Sequence, residues 1–261
     1  MPKAPINGID LYYESNGEGP AIVFAHGRGG NHMSWWQQVA VFSKTHRCIT
    51  FDHRGFGQSE DVPDGPGRHA YVEDLKGLLD YLGVEETVLV AQSMGGLTCL
   101  PFALAYPERT RGLVLADTTG GIGDESVAGL VRDYQAPTDT LERTLARSFR
   151  DNHPVKTFLY LQINWLNPPR AADPISGFAS GEGPKADELA RMKTPTLMMV
   201  GKEDAVFPPY IMEAAHKLIP GSRLEIVPDC GHSVYFEHPE VFNRLVTEFI
   251  AELEGAAVAA D

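Results

Sequence analysis

Thr87-Val88-Leu89-Val90-Ala91-Gln92-Ser93-Met94-Gly95-Gly96-Leu97-Thr98-Cys99-Leu100-Pro101-Phe102-Ala103-Leu104 is the stretch that decides how this chain is read. The apolar run Thr87–Val90 predicts a buried strand, and Leu97–Leu104 predicts a helix. Ser93 falls at the corner between them. A serine on a sharp strand-to-helix turn projects its hydroxyl clear of the backbone. The corner leaves no room for side-chain branches, which accounts for Ala91, Gly95 and Gly96 around it. The pattern is G-x-S-x-G with alanine in the first glycine position. Ser93 is therefore the candidate nucleophile.

Working outward, the same rhythm recurs. Ile9–Glu14 partly alternates and ends at Asn16-Gly17, which predicts an edge strand and turn. Ala21–Ala25, Arg47–Phe51, Gly112–Ala116, Thr196–Val200 and Arg223–Val227 predict further strands, most of them buried on both faces. Helical spacing appears around Trp35–Phe42, over Ala70–Leu82 (Val72, Leu75, Leu78, Leu79, Leu82) and from Pro239 to about Ala251. Strands alternating with helices imply an α/β fold: a mostly parallel central sheet with helices on both faces. Residues 119–191 break the rhythm. Asp139–Phe149 reads as one helix, with Glu142 as capping-box partner of Asp139, and Phe158–Trp165 is apolar and aromatic. The expected organisation is a core of residues 1–118 and 192–261 with residues 119–191 as a helical cap.

A serine hydroxyl needs a general base, the base needs an orienting carboxylate, and the oxyanion needs N–H donors. Of 9 histidines, His232 in Pro228-Asp229-Cys230-Gly231-His232 follows a strand and precedes the last helix. His26, His53 and His69 precede Ser93 and do not fit the order serine, acid, histidine; His238, abutting Pro239, reads as structural. Asp204 follows the strand Thr196–Val200, at the strand end where open α/β sheets bind ligands. Asp117, which ends an earlier strand, is the reserve acid. The predicted oxyanion donors are the amides of Met94, at the start of the helix behind Ser93, and of Arg28 in the glycine-rich loop His26–Asn31. Trp35, Trp165, Val206 and Phe207, together with Trp36 and Met94, are the predicted apolar lining of a substrate pocket. The Arg28 guanidinium is a candidate contact for a substrate carboxylate.

Composition narrows the partners. The chain has 261 residues, 43% hydrophobic and 22% charged, enough for one large domain. A net charge of −13 argues against nucleic acid and anionic membranes. No run approaches the roughly 20 apolar residues of a membrane span, and Met1–Gly8 lacks the apolar core of a signal peptide. A cytoplasmic protein acting on a small molecule is expected. Cys48, Cys99 and Cys230 have neither metal-ligand spacing nor a disulfide pattern.

Four elements in this order resemble the α/β-hydrolase superfamily: His26-Gly27, the D-x-R-G-x-G-x-S loop Asp52–Ser59, the turn at Ser93, and the G-x-x-D and G-H loops at Asp204 and His232. The resemblance spans everything but residues 119–191 and is nearest to capped esterases, lactonases and C–C bond hydrolases. It implies hydrolysis through an acyl-enzyme with no metal or organic cofactor, and it gives Asp52 and Arg54 a turn-stabilising role. Ser93 sets the chain apart from haloalkane dehalogenases and epoxide hydrolases, which use aspartate there. Arg28 stands where cofactor-free haloperoxidases and perhydrolases usually carry an aromatic residue and ring-cleavage C–C hydrolases a small one. The expectation is a serine hydrolase of carboxylic esters or lactones. The alternatives are hydrolysis of a vinylogous diketone, a perhydrolase, and a ligand-binding receptor on the same fold.

Overall fold

The computed structural model describes residues 2–169 and 174–258. Its strands are β1 (Lys3–Ile6), β2 (Ile9–Asn16), β3 (Ala21–Ala25), β4 (Arg47–Phe51), β5 (Thr87–Gln92), β6 (Thr110–Ala116), β7 (Thr196–Gly201) and β8 (Arg223–Val227). They form one sheet in the order β1-β2-β4-β3-β5-β6-β7-β8. β2 pairs antiparallel with β1 and with β4, and every other pairing is parallel. The continuous apolar runs have a direct cause, because side chains alternate across a strand and both faces are covered. Val23, Ala25, Leu89 and Ala91 enter one core, and Ile22, Phe24, Val88 and Val90 enter the other.

The helices are α1 (Trp36–Phe42), α2 (Tyr71–Tyr81), α3 (Gly96–Ala105), α4 (Glu125–Asp133), α5 (Thr140–Thr144), α6 (Arg147–Asn152), α7 (Pro154–Trp165), α8 (Ala186–Leu189), α9 (Pro209–Leu218), α10 (Val234–Glu237) and α11 (Pro239–Val258). α2, α3 and α9 bury Leu75, Leu78, Cys99, Phe102, Ile211 and Met212 against the first face of the sheet. α1 and α11 bury Phe42, Phe242, Val246 and Phe249 against the second. α4 to α8 make up the insertion between β6 and β7. Among the described residues it has no core of its own. Ile122, Val127, Phe178 and Leu189 join the first cluster, and Leu145, Phe149 and Ile163 join the second.

Three expectations are corrected. β1 was not foreseen; it is short, contains Pro5, and sits at the sheet edge, where a missing N–H is tolerated. The last helix runs on past Ala251 to Val258. The helix expected over Asp139–Phe149 is two. Asp139 does cap α5, accepting from the Glu142 amide at 2.9 Å. The chain then turns extended at Leu145 and Ala146, where the Ala146 amide donates to the Glu237 carboxylate at 2.9 Å.

Candidate active site

Ser93, Asp204 and His232 follow the carboxyl ends of β5, β7 and β8, and Arg28 follows that of β3. Ser93 follows β5 with φ of +47°, a left-handed conformation strained for a non-glycine residue. The corner is locked from both sides. A Cβ at Gly95 would collide with the Ala25 carbonyl at the end of β3, and one at Gly96 with the Thr118 hydroxyl beyond β6. Gly27 lies so close that a Cβ there would strike the Gln92 side-chain amide. The small residues therefore let three neighbouring strand ends converge on one serine.

Ser93 Oγ lies 2.8 Å from His232 Nε2, and His232 Nδ1 lies 2.8 Å from Asp204 Oδ2. The other carboxylate oxygen, Asp204 Oδ1, accepts from the amides of Val206 at 2.7 Å and Phe207 at 2.9 Å. These bonds orient the carboxylate toward the imidazole. The Gln92 side-chain amide donates to the His232 carbonyl at 2.9 Å, tying the histidine loop to the serine corner. Burial lowers the His232 pKa, but the charge and hydrogen bond of Asp204, with Asp117 adding to them, outweigh it and leave it raised.

Asp117, the reserve acid, is buried beside this row but bonded elsewhere. It accepts from the amides of Gly201 and Val234, each at 3.1 Å. Burial, with Asp204 nearby, pushes its carboxyl well up. His26 and His53 bond to one another: the His53 amide donates to His26 Nε2 at 3.0 Å, and both rings are buried under the glycine-rich loop. Asp52 accepts from the amides of His32 and Gln58, and Arg54 grips Asp74 through two bonds of 2.7 and 2.8 Å. Cys230 is fully buried and its thiol is pushed up by that burial, so it is not a reactive thiol. His238 stands on the surface side of its loop, bonded to the Asp229 carbonyl.

A cavity of about 150 Å³ opens at Ser93 and His232. Arg28, Val206 and Phe207 line it. So do residues of the insertion that the sequence reading missed: Thr140, Arg143, Thr144, Tyr160, Asn164 and Phe178. A larger cavity of about 830 Å³ runs along Arg54–Tyr71 and does not include Ser93, so volume alone does not mark the site. Other pocket expectations are corrected. Trp35 is fully buried in the second core, stacked among Phe24, Tyr235 and Phe242. Trp165 is 68% exposed at the end of α7, and Trp36 is on the outer surface near Met33. The Met94 side chain packs on Phe56 and Tyr71 beneath the corner. Among the described residues no cluster of three or more His, Cys, Asp or Glu side chains is placed to hold a metal, and no helix is long and apolar enough to cross a membrane.

Residues 22–245 match the sequence model of the alpha/beta hydrolase family. The chain belongs to that family. This α/β hydrolase is 31% identical to the 2-hydroxy-6-oxononadienedioate/2-hydroxy-6-oxononatrienedioate hydrolase of Comamonas testosteroni, over 94% of this chain and 93% of that protein. Among solved structures it is similar to a thermophilic esterase from Thermogutta terrifontis, with a TM-score of 0.76, 31% identity and 94% of each chain covered. It is also similar to the enol-lactonase of Burkholderia xenovorans LB400, with a TM-score of 0.79, 26% identity, and 96% of this chain and 100% of that one covered. The fold is thus common to proteins named as a dienedioate hydrolase, an esterase and an enol-lactonase.

Proposed function

We propose that this α/β hydrolase cleaves small carboxylic esters or lactones through an acyl-enzyme on Ser93. The observation that carries the reading is the unbroken row Ser93–His232–Asp204, with both links at 2.8 Å. Ser93 Oγ attacks the carbonyl carbon as its proton passes to His232 Nε2. The oxyanion forms against the amides of Met94 and Arg28. His232 returns the proton to the departing alkoxide as the C–O bond breaks. It then takes a proton from water, which attacks the acyl carbon and releases the acid with Ser93 restored. Asp204 holds the imidazole in the tautomer this sequence requires. No step calls on a metal or organic cofactor.

The cavity supports a narrower reading of the substrate. Its volume of about 150 Å³ is below the roughly 300 Å³ of ordinary ligand pockets, which favours short acyl groups. Val206, Phe207 and Phe178 give one apolar wall. Arg28 from the oxyanion loop and Arg143 from α5 bring cationic side chains to the same space, which suits an ester or lactone bearing its own carboxylate. In this reading residues 119–191 act as the cap.

A second reading has a specific observation behind it. The Comamonas relative is named for an oxo-dienedioate, and two arginines would suit such a dianion. Here the same Ser93 row would hydrolyse the C–C bond of a vinylogous diketone. The deciding experiment is turnover of p-nitrophenyl esters from acetate to decanoate, with Ser93→Ala beside the wild type. The ester reading expects turnover on acetate and butyrate that vanishes in Ser93→Ala. No ester or lactone turnover, with Ser93 still labelled by a fluorophosphonate, would overturn it in favour of C–C cleavage.

A further inference from the structure

Glu237, at the end of α10, is a buried carboxylate that the hydrolytic row does not use. Its Oε1 accepts from the Gly231 amide at 3.0 Å, and its Oε2 accepts from the Ala146 amide at 2.9 Å. The Ser233 amide also stabilises its charge. Gly231 and Ser233 are the residues on either side of His232, and Ala146 belongs to the insertion. One carboxylate therefore gathers the amides that bracket the histidine and an amide from the segment that covers it.

The packing is built around this arrangement. A Cβ at Gly231 would run into Ala146, Leu145 and the Glu237 carboxylate, so glycine is what lets the insertion seat on the histidine loop. Gly201, at the end of β7, is pressed against the Gly231 and Cys230 carbonyls in the same way, and the Glu203 amide donates to the Cys230 carbonyl at 2.8 Å. The groups around Glu237 are acidic or neutral: Asp204, Cys230, Tyr160 and Tyr235. Burial accordingly pushes its carboxyl up to about 8 against the pull of the three amides, so the three-amide link is complete in the ionised form above that pH, whereas the neutral acid would turn its own O–H toward one of the donors. A buried carboxylate is costly unless its hydrogen bonds are satisfied. A polar link at this point does something an apolar residue would not, because only an acceptor can hold three N–H groups from two separate segments.

We propose that Glu237 is a positioning residue for His232, bracketing it through Gly231 and Ser233 and fastening the insertion to the histidine loop through Ala146. The same bond explains why α5 and α6 are separate. The Ala146 amide is committed to the Glu237 carboxylate and not to the turn before it. This inference rests on the reading of His232 as the general base.

The test is Glu237→Gln assayed at about pH 9, where the Glu237 carboxyl is ionised. Glutamine keeps the shape but offers one acceptor oxygen and turns an NH2 toward one of the donor amides. Displacement of the imidazole relative to Ser93 should lower kcat about 10–100-fold, with KM within about threefold, since misplacement near 1 Å costs about 100-fold. Fluorophosphonate labelling of Ser93 should slow by the same factor. Amide exchange should quicken together in residues 144–147 and 230–234. kcat and labelling within twofold of wild type would overturn the proposal, whatever happens to Tm. If Glu237→Gln does not fold, Ala146→Pro asks the same question from the insertion. The φ of −55° at Ala146 and the extended Leu145 before it accept proline, which removes the donor N–H. A lower kcat with faster exchange at 230–234 is expected, and no change in either overturns the proposal. His232→Ala separates the two levels. Activity indifferent to His232→Ala sinks the general-base reading, whereas His232-dependent activity indifferent to Glu237→Gln sinks this inference alone.

Discussion

The strand-end loops and the insertion build one cavity by different means. On the sheet side, position comes from backbone: the strained φ of Ser93, the close approaches at Gly27, Gly95 and Gly96, and amides holding Asp204. On the insertion side, position comes from side chains projecting off short helices, with Arg143, Tyr160 and Asn164 reaching the cavity from α5 and α7. On the proposed reading, the sheet side sets the reacting atoms and the cavity-facing side chains of the insertion set what they can meet. A substitution of the first should therefore change kcat for every substrate, and one of those insertion side chains should change KM for some.

Asp204→Asn is the strongest way to break that division. It should lower kcat about 10⁴-fold on all substrates by losing the tautomer that Ser93 needs. It also removes the main influence raising the His232 pKa. With His232 as the proposed general base, the neutral imidazole is the active form, so wild-type activity should rise with pH through a pKa above 6.5, and any residual activity of the variant should rise at lower pH. Asp117→Asn, by contrast, should keep the row intact. A pH–rate profile of each variant checks this; equal losses from both would place Asp117 in the row as well.

The two tryptophans sharpen the comparison. Trp35→Ala should cost about 3–5 kcal/mol of stability in denaturant unfolding, the range for emptying a large aromatic site in a packed core, and leave KM unchanged. Trp165→Ala, on the surface, should change neither. A rise in KM with Trp35→Ala and unaltered stability would return it to the pocket. Arg143→Ala should have the most selective effect. It should raise KM about 10-fold for carboxylate-bearing esters and leave neutral esters alone; a uniform rise would remove the anionic subsite from the proposal.

Much of the sheet side was legible in the sequence because its constraints are local. A serine with small neighbours after an apolar run, and a histidine and an aspartate each a few residues past another, can be read without tertiary knowledge. The insertion was not legible, because its contribution depends on direction. Arg143 and Tyr160 carry no pattern that says which way they point, and Trp35 and Trp165 look alike in sequence while one is sealed in the core and the other stands in solvent. The break at Leu145–Ala146 was hidden for the same reason. Its cause is Glu237, 91 residues along the chain.

The insertion's lack of a separate core bears on how substrate gets in. Swinging it away as a rigid lid would strip Ile122, Val127, Phe178, Leu189, Leu145, Phe149 and Ile163 out of clusters they share with the sheet. At roughly 1.5–3 kcal/mol for each large apolar side chain exposed, such an opening would cost on the order of 10 kcal/mol or more, comparable to unfolding a small domain. An opening so rare would throttle turnover. On the proposed function, local fluctuations of side chains and short connecting segments at the mouth of the cavity are the less costly route for entry and exit, a doorway in place of a hinge.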